Sequence, residues 1–273
     1  MRWRIVKSGK LSPAENMALD EAIMQGIITG KSEPTIRFYD WDPPTLSFGY
    51  HQSFENEIDT SEADKFGFGY IRRPTGGRLV LHKEEITYSV ISPLRERLSG
   101  NITETYSEIS FALAKGLQIL GIDVEFERGN LASHHQREAA NPCFSSTSRF
   151  ELSYRKKKIV GSAQTRKDGV LLQHGSILLN FNQSEVAFVL PKLTLPQKKK
   201  LADYLSRKTV AINEILPEKV SYNEAIDAFI KGFIETWESD EFYLSEDFSD
   251  IERENAENLI LTKYGTIEWN KRK

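Results

Sequence analysis

Lys158-Ile159-Val160-Gly161-Ser162-Ala163-Gln164-Thr165 and Val170-Leu171-Leu172-Gln173-His174-Gly175-Ser176-Ile177-Leu178-Leu179-Asn180 flank the turn Lys167-Asp168-Gly169. Two apolar, β-rich runs joined by an Asp-Gly turn spell an antiparallel hairpin. Upstream, Phe150–Tyr154 and the basic turn Arg155-Lys156-Lys157 supply a third strand in the same sense. Further strands read at Trp3–Lys7, Thr35–Tyr39, Thr45–Phe48, Gly69–Arg73, Ile86–Ile91 and Val124–Phe126. Ser12-Pro13-Ala14-Glu15 combines an N-cap, a proline at the first helical position and a capping-box glutamate, so a helix starts there. A short helix reads near Thr60–Lys65, and a longer one over about Glu104–Leu120, with Ile109, Leu113 and Leu117 on one face. After Asn180 the pattern turns helical. Ser221-Tyr222-Asn223-Glu224 is a second capping box, and a charged helix reads over Ser245–Tyr264. The fold class is therefore α+β, with a mixed, largely antiparallel sheet packed with helices. The order is not a βαβ series, and neither the Rossmann nor the P-loop fingerprint occurs. One domain is expected over 1–273, with a core to about residue 210 and a helical C-terminal extension over about 211–273.

Composition narrows the function classes. Of 273 residues, 39% are apolar and 27% charged, which suits a soluble domain with a substantial core. A net charge of −3 argues against nucleic-acid binding through global electrostatics. The start, Met1-Arg2-Trp3-Arg4, carries no apolar signal, and no run is long enough to cross a bilayer, so the expected location is the cytoplasm with no membrane partner. The single cysteine, Cys143, cannot form an intramolecular disulfide or a thiolate-rich zinc site, and no metal site is expected.

Three segments carry candidate chemistry. Arg72-Arg73-Pro74-Thr75-Gly76-Gly77-Arg78 offers close backbone approach at the paired glycines and three guanidinium groups for an anion; taken alone it is also an ordinary Gly-Gly turn. Gly161, Ser162 and Ala163 interrupt an apolar strand with small residues, which marks a place where another backbone or a ligand comes close. Lys158 enters that strand, where it can point inward to hold a carbonyl oxygen or favour a thiolate. His174, beside Gly175, and His82 are candidate acid–base or hydrogen-bonding groups, though a single strand histidine is more often structural. His134 and His135 fall in the polar stretch 129–142, which reads as a surface loop ending just before Cys143.

Together these motifs resemble the biotin/lipoate protein ligase catalytic-domain superfamily over about Trp3–Trp269, most closely its LipM-type octanoyltransferases. Arg72–Arg78, then Leu81-His82 and Thr87-Tyr88-Ser89-Val90, resemble the substrate-pocket segment, and Lys158–Gln164 with Gln173–Leu179 the central sheet. Pro142-Cys143-Phe144, followed by Glu151-Leu152, is similar to the segment bearing the acyl-accepting cysteine. The LipB-type branch places its cysteine three residues before the histidine of the His-Gly pair, and here that position is Leu171. Lys83 and Ser145–Ser148 depart from the LipM pattern.

The resemblance implies octanoyl transfer from octanoyl-acyl carrier protein, through a thioester on Cys143, to a lysine of a lipoyl-domain protein, first of all the glycine-cleavage H protein. It implies that Lys158 lowers the Cys143 pKa. Arg72, Arg73, Thr75, Gly76, Gly77, Arg78, His82, Gly161, Ser162, Ala163, His174 and Gly175 then form the substrate site. No cofactor is needed beyond the donor's phosphopantetheine. Arg72, Arg78 and Lys156–Lys158 would steer acidic partners. An ATP-dependent lipoate–protein ligase and an octanoyl amidotransferase between lipoyl domains are the alternatives, and a module that merely grips lipoyl domains is the non-enzymatic one.

Overall fold

The computed structural model describes residues 1–127 and 151–272. In chain order the elements are β1 (Arg2–Leu11), α1 (Pro13–Ile28), β2 (Thr35–Trp41), β3 (Thr45–Phe48), α2 (Phe54–Glu57), α3 (Thr60–Lys65), β4 (Gly69–Arg72), β5 (Val80–His82), β6 (Glu85–Pro93), α4 (Ile102–Ile119) and β7 (Glu125–Glu127). Then follow β8 (Glu151–Tyr154), β9 (Lys157–Lys167), β10 (Val170–Leu178), α5 (Leu195–Lys208), α6 (Ile212–Ile215), α7 (Tyr222–Thr236), β11 (Glu241–Ser245), α8 (Asp250–Leu259) and α9 (Ile267–Asn270). Cys143, His134 and His135 lie outside the described residues.

Among the described residues the main sheet runs β11-β1-β2-β6-β10-β9-β8-β7, and a small sheet runs β4-β3-β5. β1 pairs in parallel with both β11 and β2; from β2 to β7 every pairing is antiparallel. The hairpin expected from the Asp-Gly turn is present, with His174 opposite Ala163 and Ser176 opposite Gly161, and Asp168 and Gly169 both take positive φ. The Ser12–Glu15 and Ser221–Glu224 capping boxes both form, satisfying the first N–H groups of α1 and α7.

Alternation divides the central strands between two cores. Ile86, Tyr88 and Val90 of β6 and Leu171 and Ile177 of β10 face Leu113 and Leu117 of α4 and Phe229 and Phe233 of α7. Ile91, Val170 and Leu172 face Ile23 and Met24 of α1. The two helices over the first face meet backbone to backbone. A Cβ on Gly232 would lie 2.5 Å from the Gly116 nitrogen and 2.6 Å from the Ala112 oxygen.

The region after residue 210 is helical as expected, but it is no appendage. It supplies α7 to the main core and β11 to the edge of the main sheet, beside β1. The helix expected over Ser245–Tyr264 is shorter, capped by Ser249 and followed by a π-helical turn over Ile260–Tyr264. Glu252 is fully buried, and its carboxylate takes both Arg4 amine groups at 2.8 and 2.6 Å. This fork-to-fork pair fixes α8 against β1.

Gly232→Ala should destabilise the protein by about 1–3 kcal/mol through overpacking of the α4–α7 crossing, although alanine is the better helix former. Urea unfolding measures it; an increase in stability would show that the helices spread apart at little cost.

Candidate active site

Helix α1 lies across the inner face of β2, and the polar side chains sit where helix and strand meet. Arg37 and Tyr39 alternate with Ile36 and Phe38, so both point under α1, where Asn16 and Asp20 stand one turn apart. Arg37 and Asp20 are both 0% exposed. Arg37 Nη1 donates to Asp20 Oδ1 at 2.9 Å, and Arg37 also donates to the Asn16 side chain at 2.6 Å and the Ser8 hydroxyl at 2.8 Å. Asp20 further accepts from the Tyr39 and Ser89 hydroxyls, each at 2.9 Å. A buried ion pair is tolerable only when such hydrogen bonds replace the lost water.

The network ends at His174. Its Nδ1 lies 3.5 Å from Asp20 Oδ2, and its Nε2 lies 2.6 Å from the Thr75 hydroxyl. Burial pushes the imidazole below its ordinary pKa, against the opposing pull of Asp20. Burial would raise the Asp20 carboxyl, but the His174 hydrogen bond and the Arg37 charge hold it below the usual carboxylate range. Near neutral pH the pair is thus a carboxylate and a neutral ring. An ionised carboxylate only accepts, so the ring proton belongs on Nδ1 and Nε2 accepts from Thr75.

Thr75 belongs to the Pro-Thr-Gly-Gly loop, which Arg73 folds upon itself. Arg73 donates to the Gly76 carbonyl at 2.9 Å, the Arg78 carbonyl at 2.7 Å and the Ser47 carbonyl at 2.8 Å. Gly77 has φ +97°, and its carbonyl would lie 2.1 Å from a Cβ on Gly49, so neither position has room for a side chain without strain. On the facing strands a Cβ on Gly175 would meet the Gly161 carbonyl at 2.5 Å. Between loop and strands a small, narrow cleft opens, lined by Met17, Trp41, Val80, Gly161, Ala163, His174 and Ser176 among others. His82 forms part of the wall. It stacks on Trp41 at 4.5 Å, with Nε2 2.8 Å from the Ser47 hydroxyl and Nδ1 3.2 Å from Glu85. Trp41 in turn donates to the Thr87 hydroxyl at 2.7 Å. The arrangement is a narrow slot in which Trp41, Arg73, His82 and His174 are hydrogen-bonded to protein groups, while the buried Ser176 hydroxyl on its wall has no partner among the described residues.

Most of the residues expected from sequence meet here: Arg73, His82, Gly161, Ser162, Ala163, His174 and Gly175 line the cleft, and Thr75, Gly76 and Gly77 form the loop above it. Lys158 is buried on β9, three residues before Gly161, with Nζ 2.7 Å from Glu151 Oε1. Arg72 differs from expectation. It is 1% exposed and donates to the carbonyls of Gly49, Tyr50, Gln52, Trp269, Asn270 and Arg272, so it cannot steer a partner and serves as a structural clamp. Asn16, Asp20, Arg37, Tyr39, Trp41 and Glu85 went unforeseen. The available signal was Asp20 standing between Met17 and Met24 on the buried face of α1. Among the described residues no group of three His, Cys, Asp or Glu could hold a metal, and no helix is long and apolar enough to cross a membrane.

The family model of the lipoyl protein ligase A/B catalytic domain matches residues 12–234. Octanoyltransferase LipM of Brevibacillus brevis is 43% identical over 100% of this chain and 99% of its own length. The Bacillus subtilis protein of the same name is 40% identical over 98% and 97%. Among solved structures, a lipoate protein ligase from T. acidophilum with bound lipoic acid aligns with a TM-score of 0.78 at 26% identity, covering 99% of this chain and 100% of that one. A lipoate-protein ligase A bound with ATP aligns at 0.79 and 25% identity, covering 99% of each.

Asp20→Asn should cost roughly 3–5 kcal/mol in urea unfolding, because it leaves the Arg37 charge buried without its counterion. Both depressed pKa values make the fold acid-sensitive. Below about pH 6.5 the unfolded chain takes a proton that buried His174 resists, and below about pH 4 the Asp20 contribution is lost as its carboxyl protonates. The Tm should therefore fall between pH 7 and 5, and His174→Gln should flatten that limb; an equal slope in the variant would assign it to other groups.

Proposed function

This chain belongs to the lipoyl protein ligase A/B catalytic-domain family and is an acyltransferase, and we propose that it moves an octanoyl group from acyl carrier protein onto a lysine of a lipoyl-domain protein. The observation that carries the reading is the slot between the Thr75 loop and the small-residue strands, in a chain 43% identical over its whole length to an octanoyltransferase. An eight-carbon chain gains about 0.8 kcal/mol for each methylene removed from water. Gly161 and Ala163, beside Met17, Trp41 and Val80, give the slot the small and apolar lining that such a chain would lie against.

In the proposed reaction the Cys143 thiolate attacks the carbonyl carbon of the octanoyl thioester. The bond to the phosphopantetheine sulfur breaks, that thiolate leaves and is protonated, and a new thioester forms on Cys143. Exchange of one thioester for another is nearly balanced, so ATP is not needed. The lysine amine of the acceptor, with the glycine-cleavage H protein as first candidate, then attacks this carbonyl. The Cys143 sulfur leaves as thiolate, the amine loses its proton, and a stable amide drives the step forward. Lys158 is the proposed activator: a cationic group near a thiol favours its thiolate. Its pairing with Glu151 holds the side chain in one place. In this scheme His82, Arg73 and the Thr75–His174 contact shape and hold the slot.

Mixing the protein with octanoyl-acyl carrier protein and recording its intact mass should show one octanoyl adduct, mapping to Cys143. Cys143→Ala should abolish adduct and transfer while leaving the circular-dichroism spectrum native, and Lys158→Ala should slow adduct formation and move its pH dependence upward. Octanoylation of the acceptor that requires ATP and persists in Cys143→Ala would replace this scheme with adenylate-forming ligase chemistry.

A further inference from the structure

The residues at the far end of the chain reach the loop that roofs the slot. Trp269 Nε1 donates to the Arg72 carbonyl at 2.9 Å, and the Arg72 N–H donates to Asn270 Oδ1 at 2.9 Å. The Arg72 guanidinium donates to the Trp269 carbonyl at 3.0 Å and the Arg272 carbonyl at 2.8 Å. Its other edge donates to the Tyr50 carbonyl at 3.0 Å and the Gln52 carbonyl at 2.7 Å, so one side chain ties the 49–52 turn to the terminal segment. Arg272 closes the ring by donating to the Tyr50 carbonyl at 2.9 Å, with its guanidinium 3.8 Å from the Tyr50 ring and 4.3 Å from that of Trp269. Asn270 is held by its own donations to the Tyr264 carbonyl at 2.7 Å and the Thr266 carbonyl at 3.0 Å.

Two routes lead from this clasp to Thr75. One is covalent, through Arg72, Arg73 and Pro74, a proline that limits slack in the chain. The other is the Tyr50 N–H, which donates to the Thr75 carbonyl at 2.8 Å. Thr75 is thus gripped from outside by Tyr50 and from inside by His174. Trp269 is only partly buried, against the small cluster around α1 and α8, and the main core between sheet and α4–α7 does not include it. Segments held mainly by hydrogen bonds at the edge of a core open locally without global unfolding.

We infer that Trp269 and Asn270 are positioning residues: the segment 266–272 clasps Arg72 and Tyr50 and thereby sets the place of Thr75 over the acyl slot. The effect on acyl binding rests on the octanoyl reading, whereas the mechanical coupling does not.

The test uses full-length Asn270→Ala and Trp269→Phe, which loses the indole donor but keeps a ring, and a chain ending at Gly265. Hydrogen exchange should quicken over residues 73–79 in all three while α4 exchanges as in the wild type. The KM for octanoyl-acyl carrier protein should rise roughly five- to tenfold in Asn270→Ala, which loses the bond from the Arg72 N–H and the two that hold Asn270 itself, with kcat within about twofold. Unchanged exchange over 73–79 in Asn270→Ala and in the shortened chain overturns the clasp. A fall in kcat that tracks lost folded protein, at constant KM, overturns the positioning role. Should wild-type protein take no octanoyl group from acyl carrier protein, the functional reading fails, and the exchange measurement alone decides the clasp.

Discussion

The ion pair between Asp20 and Arg37, sealed between α1 and β2, is the constraint on which the site depends. Neither charge has water, so each must be matched by protein groups, and the match recruits Asn16, Ser8, Tyr39 and Ser89 from four elements. The last member is His174, whose neutral ring passes the orientation on to Thr75. An electrostatic debt incurred in the core thus fixes a loop at the surface. It also fixes that loop's rigidity, because moving Thr75 away would disturb a set of buried hydrogen bonds that water cannot replace.

The slot itself exists because backbone approaches backbone. A Cβ on Gly175 would run into the Gly161 carbonyl of the adjacent strand, and one on Gly49 into the Gly77 carbonyl of the loop. The remaining volume is bounded by Met17, Trp41 and Val80, while Trp41 and His82 spend their hydrogen bonds on Thr87 and Ser47. The anion-binding role that three arginines suggest is met differently. Arg72 and Arg73 spend their donors on backbone carbonyls, and the structural work of the motif precedes any contact with substrate.

The same division explains why the terminal segment matters. β11 and α7 complete the sheet and the main core, whereas Trp269 and Asn270 attach to the loop root. Residues distant in sequence therefore close the site from its outer side.

Much of the architecture was legible in the sequence. The Asp-Gly turn between two apolar, β-rich runs specified the β9–β10 hairpin, and the two capping boxes specified the starts of α1 and α7, because these are local interactions between residues a few positions apart. The small residues Gly161, Ser162 and Ala163 marked a place of close approach, since nothing local rewards them in a strand, and all three line the cleft. What lay beyond reading were the pairings across long separations. Arg37 and Tyr39 look like the wet face of a strand until α1 covers them, and β11, five residues long, is too short to announce that it joins β1. Arg72 looks like a ligand-binding cation until Trp269 and Asn270 arrive, nearly two hundred residues later. Sequence determined where strands turn and helices begin, through short-range sterics and hydrogen bonds. Only the tertiary structure decided which charges would lose water together, because burial belongs to the packed whole and to no single segment.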